Sequence, residues 1–496
     1  MSLRLPPIAL DLLALLAGAA LVPAFAPFEW RALAVLAPAL FFLTLFNAAP
    51  GRAARRGWLF GLGMFGAGVH WVYFSLHLFG AAIAPLAALL TLGFVLAMAL
   101  LPAAFGWLFA RLSRHLPPAI ALMALAPALW TLFEWWRGWM LTGFPWLLLG
   151  HAQVDTWLGG LAPIGGVYAA SWAAALSAGL LAWLSLPRPA QARASAVAAL
   201  VALWLSAGLL DRIAWTEVSG EPLDVALIQG NVAQEVKWEP ESLLGAMRLY
   251  DALTLGAHGA DIILWPETAI PAFYDEVAEG FLTPIAAEAR AAGSHLLTGI
   301  FAYDPDSGAM YNSIASLHEA PEFYHKRHLV PFGEYLPLRF VLRWLDRYLE
   351  IPMADLSRGS ERPLLTAAGH VIGASVCYED AFGEEVIDAL PEAALLVNVS
   401  NDAWFGDSIA AHQHLEIARM RSKETGRWLL RATNTGISAV IDHRGAIVAR
   451  SPHLEQHVLT ATVEPRAGMV PYAYFGNWPV VGLALLTVLL ALRWRA

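Results

Sequence analysis

Cysteine and charge are both scarce in this chain. Cys377 is the one cysteine in 496 residues, which excludes an internal disulfide and leaves the redox state of the compartment unspecified. Charged residues make up 14% of the sequence, whereas about 25% is usual for soluble proteins. With a formal net charge of −9 and no basic stripe, the sequence argues against nucleic acid as a partner.

Metal-ligand spacing is also lacking. The sequence contains no HExxH motif, and His412 and His414 are two positions apart. No serine or cysteine has a recognisable histidine partner, which argues against papain-like and serine-hydrolase sites. We therefore predict no metal.

Lysine is rare even among the basic residues. Lys and Arg together number 31, and the lysines are Lys237, Lys326 and Lys423. The lysine head is smaller than that of arginine and loses its proton more readily. In a chain that prefers arginine so strongly, a lysine indicates a position that needs a small ammonium group able to lose its proton.

Long apolar runs are what the chain has in abundance. Hydrophobic residues make up 58% of it, and there are 21 tryptophans. Because a span needs about 20 apolar residues, the sequence predicts spans at 7–23, 31–49, 57–79, 82–110, 117–134, 162–186, 194–211 and 473–492. The Trp-rich segment 135–160 predicts an interfacial or re-entrant stretch instead of a span.

Arginine in the short connections predicts the topology. It is concentrated before the first span and after the even-numbered ones, at Arg4, Arg52, Arg55, Arg56, Arg111, Arg114, Arg188, Arg193, Arg493 and Arg495. Both termini are therefore expected in the cytoplasm, and the chain between the seventh and eighth spans on the far side. Ala24 to Ala26 imitate a cleavage site, but the Pro27 that follows favours an uncleaved first span.

Four titratable residues lie at predicted membrane depth. Such residues are candidates for function because burying charge in lipid is costly. Packing and interfacial roles stay open for each of them: Asp11, His70, His77 and Glu134.

The composition changes after Trp215, where short strand-like and helix-like runs alternate. The strand-like runs lie at 224–229, 261–265, 295–303, 371–377, 394–399 and 438–441, and the helix-like runs at 242–253, 282–292, 384–390 and 412–428. This rhythm predicts an α/β domain. The predicted division is a membrane domain at 1–213, an α/β domain at 214–468, and the eighth span with its tail at 469–496.

The segment 370–380 carries the cysteine. Its small apolar run predicts a buried strand that ends in Cys377. A nucleophile in that position stands on a rigid scaffold and faces a loop-lined cleft. A lone cysteine is equally compatible with a small buried hydrophobe.

Two further segments carry charged residues beside apolar ones. An apolar strand at 261–265 runs into Pro266, which ends it and leaves the Glu267 carboxylate at its end. The segment 323–337 holds Lys326 and Glu334 among aromatic residues and prolines. Taken singly, Glu267 also fits a solvated turn acid, and 323–337 a basic patch against phospholipid headgroups.

Taken together, the three segments supply the parts of an acyl-transfer site. Glu267 can take the thiol proton, and Cys377 can form a thioester. Lys326 beside the thiolate lowers its pKa and can stabilise the oxyanion of the attacked carbonyl.

These motifs resemble a known family. Glu267 in WPE, Lys326 in HKRHLVPFGEYLP and Cys377 in CYE are similar to the Glu-Lys-Cys triad of the carbon–nitrogen hydrolase (nitrilase) superfamily. The flanking spans, QGN at 229–231 and VNVSNDAWFG at 397–406 narrow the resemblance to the apolipoprotein N-acyltransferase family. It covers essentially the whole chain, with no departure from the triad.

The resemblance implies an αββα sandwich on a membrane helical bundle of about eight spans. It places the protein in the bacterial inner membrane, with the catalytic domain in the periplasm and with no cofactor; we expect a monomer. The implied reaction is ping-pong. Cys377 takes an acyl chain from a phospholipid and passes it to the N-terminal amine of the diacylglyceryl-cysteine of an apolipoprotein.

The resemblance also suggests secondary site residues. Glu334 and Glu379 are expected to orient Lys326 or polarise the site. Tyr378 and Trp238 resemble positions near the acyl or substrate pocket. Trp146 and Trp404 fit substrate entry sideways from the bilayer, although core packing suits Trp404 as well.

Two alternatives stay open on the sequence. One is a membrane-tethered amidase or nitrilase that uses the same triad to hydrolyse an amide or ester; a site at lipid level favours transfer over hydrolysis. The other is a transporter or structural membrane protein with an inactive hydrolase-like domain. The intact triad and the lack of paired broken helices argue against it.

Overall fold

The computed structural model describes residues 6–79, 82–237, 239–335 and 356–494. The chain divides into two compact units. The first, here called the membrane unit, comprises Met1–Tyr73, Ala84–Ile213 and Tyr474–Ala496, and the second, the soluble unit, comprises Phe74–Ile83 and Ala214–Ala473. Residues 74–83 therefore belong with the soluble unit, although both of their neighbours in sequence belong to the membrane unit.

Apolar helices build the membrane unit. Its α-helices are Pro7–Leu21, Leu33–Leu45, Pro50–Gly68, Ala84–Met98, Leu100–Leu112, Pro118–Ile120, Ala126–Arg137, Ala162–Leu184, Ala190–Leu210 and Trp478–Arg493. Short turns of 3₁₀ or π geometry join or extend them at Val22–Ala24, Ser113–His115, Ala121–Leu125, Met140–Thr142, His151–Gln153 and Trp157–Leu161. Segment 135–160 thus contains turns instead of a long helix, while its predicted interfacial or re-entrant placement stays a prediction.

The helix lengths bear on the predicted spans. Within the described residues, five helical stretches are long and apolar enough to cross a membrane. A sixth results if Pro50–Gly68 and Val72–Leu78, which are bent by 63°, form one span. Shorter apolar helices, Leu33–Leu45 and Trp478–Arg493, lie at the two other predicted spans. The predicted fold class is confirmed, while the number of spans stays a prediction.

Two of the acidic residues at membrane depth have partners. Asp11 Oδ1 lies 3.0 Å from Arg56 Nε in an ion pair. Glu134 Oε1 accepts hydrogen bonds from Trp130 Nε1 at 2.9 Å and from the Leu149 backbone N–H at 2.8 Å. Since such partners offset the cost of burying charge, both carboxylates have a structural role.

Strands dominate the described part of the soluble unit. They are β1 Glu217–Val218, β2 Leu223–Gln229, β3 Ile262–Leu264, β4 His295–Asp304, β5 Ala309–Ser316, β6 Glu322–His325, β7 Leu364–Ala367, β8 His370–Val376, β9 Leu395–Ser400, β10 Leu429–Thr433, β11 Ala439–Ile441, β12 Ile447–Arg450, β13 His457–Val463 and β14 Arg466–Ala467. One six-stranded sheet has the order β13-β2-β3-β4-β5-β6 and the other β12-β11-β10-β9-β8-β7, while β1 pairs with β14. The middle strands β2-β3-β4 and β8-β9-β10 run parallel.

The two six-stranded sheets enclose a common apolar core. Leu264 of β3 belongs to the same buried cluster as Val376 of β8 and Val397 of β9. Within β2, Leu227 lies in this cluster and the adjacent Ile228 in the cluster on the helical side. Because successive strand residues face opposite sides, a strand buried on both faces is continuously apolar.

Helices cover the outer faces of the sheets and complete the predicted αββα sandwich. The remaining α-helices are Val72–Phe74, Gln234–Lys237, Pro240–Leu255, Tyr274–Val277, Thr283–Ala291, Gly383–Val386, Ala410–Thr425 and Pro471–Phe475. The helix predicted over 412–428 was wrong at its end, because Gly426 adopts a left-handed φ of +63° and the chain then enters β10.

Candidate active site

Cys377 lies directly after β8, where it begins the 3₁₀ turn Cys377–Ala381. Its φ of +51° is in the left-handed region, which costs a non-glycine residue about 1–3 kcal/mol. Its carbonyl accepts a hydrogen bond from Asn398 Nδ2 at 3.2 Å, and the residue is 8% exposed. A strained, anchored turn therefore fixes Cys377, the predicted nucleophile, at the end of its strand.

Glu267 follows β3 by three residues. Its backbone passes so close to Gly299 of β4 that an added Cβ there would lie 2.6 Å from Glu267 Cα. Thr268, the next residue, has a left-handed φ of +48°. Glu267 Oε1 accepts a hydrogen bond from Asn312 Nδ2 at 2.7 Å. The close approach at glycine and the turn after it place this carboxylate.

Lys326 follows β6 and is 1% exposed. Its Nζ donates to Glu334 Oε1 at 2.9 Å. Its backbone N–H donates to the Asn312 carbonyl at 2.8 Å, and its carbonyl accepts from the Gly359 N–H at 2.8 Å. Asn312 Nδ2 lies 3.2 Å from Glu334 Oε1 as well. Asn312, which sequence reasoning missed, therefore connects Glu267 with the Lys326–Glu334 pair.

Glu379 links the lysine segment to the cysteine strand. Its Oε1 accepts hydrogen bonds from Tyr324 Oη at 2.8 Å and from the backbone N–H groups of Arg327 and His328 at 2.6 and 3.0 Å. Its Oε2 accepts from the Val376 N–H at 2.7 Å. These contacts hold the residues on both sides of Lys326 against the end of β8.

The three residues of the predicted triad interact electrostatically. Burial raises the pKa of the Cys377 thiol, the Glu267 carboxylate raises it further, and the Lys326 ammonium lowers it. The net direction is upward, so the predicted lowering by Lys326 is outweighed in the resting site. Burial would lower the pKa of Lys326, but Glu334, Glu267 and Cys377 together raise it. The site thus holds a protonated thiol, which needs a base, beside a permanent cation.

A buried ionic network lies behind the cysteine turn. Arg431 pairs with Asp380 at 2.7 Å and with Asp402 at 3.2 Å, and its Nη1 also donates to Asn398 Oδ1 at 2.6 Å. His414 contacts the same two aspartates, at 2.9 and 2.8 Å. Since Asn398 also donates to the Cys377 carbonyl, the network supports the turn. Sequence reasoning missed it; the available signal was an arginine inside the apolar strand 429–433.

The predicted substrate-binding residues lie in different places. Tyr378 is buried next to Cys377 in the 3₁₀ turn. Trp404 is half-buried in the turn Asp402–Phe405, and its carbonyl accepts from Ser75 Oγ at 2.8 Å. Trp146 is buried in an aromatic cluster of the membrane unit. Trp238 lies outside the described residues. The substrate-binding roles stay predictions.

Metal ligands do not cluster in the described ranges. No group of three or more His, Cys, Asp or Glu residues placed there could hold a metal ion. Near Cys377, Lys326 pairs with Glu334, and Arg431 pairs with Asp380 and Asp402.

Family models match both halves of the chain. The apolipoprotein N-acyltransferase N-terminal domain matches residues 17–180, and the carbon-nitrogen hydrolase domain matches residues 224–472. A nitrilase-superfamily protein from Saccharomyces cerevisiae is similar over 50% of this chain and 93% of its own, at 18% identity and a TM-score of 0.39. So low a score adds nothing to the family assignment.

Curated relatives match nearly the full length. Apolipoprotein N-acyltransferase from Methylococcus capsulatus is 47% identical over 475 residues, which cover 95% of this chain and 94% of that protein. The protein of that name from Azotobacter vinelandii is 44% identical over 96% of this chain and 93% of its own. That from Pseudomonas aeruginosa is 43% identical over 98% and 96%. The chain therefore belongs to the apolipoprotein N-acyltransferase family.

Proposed function

We propose that the protein transfers an acyl chain from a phospholipid to the N-terminal amine of the diacylglyceryl-cysteine of apolipoproteins. One observation carries the proposal: the only cysteine of the chain is buried beside Glu267 and Lys326, in a sequence that matches N-acyltransferases over nearly its full length. The catalytic residues we propose are Glu267 as base, Lys326 as oxyanion stabiliser and Cys377 as nucleophile.

The first half-reaction loads the enzyme. Glu267 takes the thiol proton as Cys377 Sγ attacks the ester carbonyl of the phospholipid. The Lys326 ammonium stabilises the oxyanion that forms. When the tetrahedral intermediate collapses, the C–O bond breaks and Glu267 gives its proton to the departing alkoxide oxygen, which leaves as the hydroxyl of the lysophospholipid. The product is a thioester on Cys377, with Glu267 ionised again.

The second half-reaction transfers the acyl group from Cys377 to the acceptor amine. The acceptor amine attacks the thioester carbonyl, and Glu267 takes the proton that the nitrogen loses. Collapse breaks the C–S bond, and the proton passes from Glu267 to the sulfur. An amide and the free thiol result. Glu334 and Glu379 support both steps by holding the ammonium and the backbone around it.

The membrane setting belongs to the same proposal. We place the membrane domain at 1–213, the catalytic domain at 214–468 in the periplasm, and the last span with its tail at 469–496. The protein is then a monomer in the bacterial inner membrane, with both termini in the cytoplasm and no nucleic-acid partner. Arginine in the short connections supports this orientation. Hydrolysis by the same triad is disfavoured, because the full-length relatives bear the name of an acyltransferase.

Intact-mass measurement tests the proposal directly. The detergent-solubilised protein is incubated with phospholipid and no acceptor, and Cys377→Ala serves as the control. The expected result is an added acyl mass that is absent from the variant and is released by a diacylglyceryl-peptide with a free amine. Release at the same rate without the peptide would instead assign a hydrolase. The lack of any adduct would refute the thioester.

A further inference from the structure

Lys237 is a buried cation that neither half-reaction uses. It ends the short helix Gln234–Lys237 and is 1% exposed. Its Nζ has no hydrogen-bond partner among the residues that the structure describes. Burying an ammonium without a partner is costly, so its retention there calls for a compensating charge.

Hydrogen bonds hold the Lys237 segment at the carboxyl ends of β9 and β10, in the same sheet as β8. Asn434, which follows β10, donates from Nδ2 to the Val232 carbonyl at 2.8 Å and accepts from the Val232 N–H at 3.0 Å. Asn401, which follows β9, donates from Nδ2 to Gln234 Oε1 at 2.8 Å. The segment is thus fixed at the end of the sheet where Cys377 lies.

The compensating charge is the proposed base. Glu267 has no direct ion pair: its Oε1 accepts from the neutral Asn312 amide, and its Oε2 has no hydrogen-bond partner in the described ranges. The Lys326 ammonium is hydrogen-bonded to Glu334 instead. The Lys326 ammonium interacts with three buried carboxylates, Glu267, Glu334 and Glu379, so Lys326 alone leaves the site with an excess of negative charge. Lys237 adds a second cation and reduces that excess.

The charged and titratable groups that face Glu267 shift its pKa in opposite directions. Burial raises the pKa of Glu267 and Glu334 raises it further, while the Lys326 ammonium, the Asn312 hydrogen bond and Lys237 lower it; the net direction is upward. The Cys377 thiol is a further titratable neighbour of Glu267. Burial in turn lowers the pKa of Lys237 to about 8, against the opposing effect of Glu267. At neutral pH Lys237 is therefore a cation that favours the ionised form of Glu267.

We propose that Lys237 is a positioning residue for the general base, whose ammonium keeps Glu267 ionised and ready to accept a proton. This inference rests on the role proposed above for Glu267. Lys237 keeps its own protons throughout; the transferred proton moves from sulfur to Glu267 and on to the departing oxygen. Without Lys237, the buried carboxylate is protonated at higher pH and the base is lost sooner on acidification.

The test is the pH profile of acyl capture. The rate at which the full-length protein in detergent gains acyl mass from phospholipid is measured between about pH 5 and about pH 9. In Lys237→Met, we expect the acidic limb of the profile, where capture slows as Glu267 is protonated, to move to higher pH by about one unit. Capture should then be about tenfold slower at pH values below the limb and little changed at pH values above it. Lys237→Arg, which restores a cation, should keep the limb near its wild-type position.

Controls separate charge from structure. Lys423→Met removes another buried lysine, in the helix Ala410–Thr425, and should leave the acidic limb in place. Thermal unfolding identifies variants that do not fold, and Lys237→Gln replaces Lys237→Met in that case. If the pH profile of acyl capture in Lys237→Met is parallel to that of the wild type at every pH, the proposal is overturned, even if the variant captures more slowly overall.

Glu267→Gln distinguishes the two proposals. Capture near the wild-type rate in this variant would refute Glu267 as base, and with it the proposed mechanism. A Glu267→Gln variant without capture, combined with an unshifted Lys237→Met limb, would refute the inference about Lys237 alone.

Discussion

Asn312 Nδ2 lies 2.7 Å from Glu267 Oε1 and 3.2 Å from Glu334 Oε1, so one neutral amide stands between two buried carboxylates. An amide in this position stabilises both charges without adding one. Lys326 pairs with the second of the two carboxylates. The electrostatic state of the proposed base therefore depends on a residue that itself exchanges no proton.

We expect Asn312→Asp to slow acyl capture by at least about tenfold at neutral pH, because an additional carboxylate next to Glu267 raises its pKa. Raising the pH should recover part of the rate. The rate of acyl-mass gain on Cys377 is the measurement, with Asn312→Ala as the uncharged comparison. Equal losses in the two variants at all pH values would show that packing, and not charge, sets the effect.

The proposed triad makes a second prediction. Glu267→Gln and Lys326→Met should each reduce thioester formation by about 10²–10³-fold, since each removes a transition-state interaction of several kcal/mol. Cys377→Ser should block acyl capture. Single-turnover capture, followed by mass, measures all three. Arg362→Ala, which removes an exposed ion pair with Glu392, is the control and should capture at the wild-type rate. Near wild-type capture by either triad variant would mean that its role is misassigned.

The raised pKa of His414 predicts how the stability of the protein depends on pH. Burial and Arg431 lower its pKa, but Asp380 and Asp402 outweigh them and raise it from 6.5 to about 9. A histidine whose pKa is raised on folding stabilises fully below its unfolded pKa, and this contribution is lost as pH rises through the folded value. We therefore expect the unfolding temperature to fall as pH rises from about 7 through about 9.

The variant His414→Gln isolates this effect. It leaves the two aspartates with Arg431 as their remaining cation, so the variant should be less stable at neutral pH by about 3–5 kcal/mol. Its unfolding temperature should change less than that of the wild type between pH 7 and about 9. Thermal unfolding curves that decline in parallel for both proteins would contradict the assignment.

Trp404 provides the test of a substrate-binding role outside the triad. Its turn is attached to segment 74–83 of the soluble unit through the Ser75 Oγ hydrogen bond at 2.8 Å. We expect Trp404→Ala to slow steady-state turnover by about tenfold, or about 1.4 kcal/mol, while thermal unfolding stays close to that of the wild type. Trp146 is less suitable, because truncating a fully buried tryptophan costs about 3–5 kcal/mol of stability in its own right. Unchanged turnover in Trp404→Ala would assign the side chain to packing.

The sequence by itself determined the features that depend on local order. Apolar runs of membrane length indicated the helical half, because lipid requires about 20 such residues in succession. A proline directly after an apolar strand indicated where Glu267 leaves its sheet, and the end of another apolar run did the same for Cys377. Short stretches of sequence thus predicted their own local structure.

Only the tertiary structure decided which charges meet. The strand β5, which carries Asn312, and the strand β10, which carries Arg431, were not predicted from the sequence. A buried charge needs a partner, but that partner comes from whichever segment the fold brings close: Asp380 and Asp402 for Arg431, and Glu267 for Lys237. Sequence periodicity records which face of an element is buried and contains no information about what lies opposite it. The lysine count singled out all three lysines alike, and only the fold brought Lys237 within the electrostatic range of Glu267.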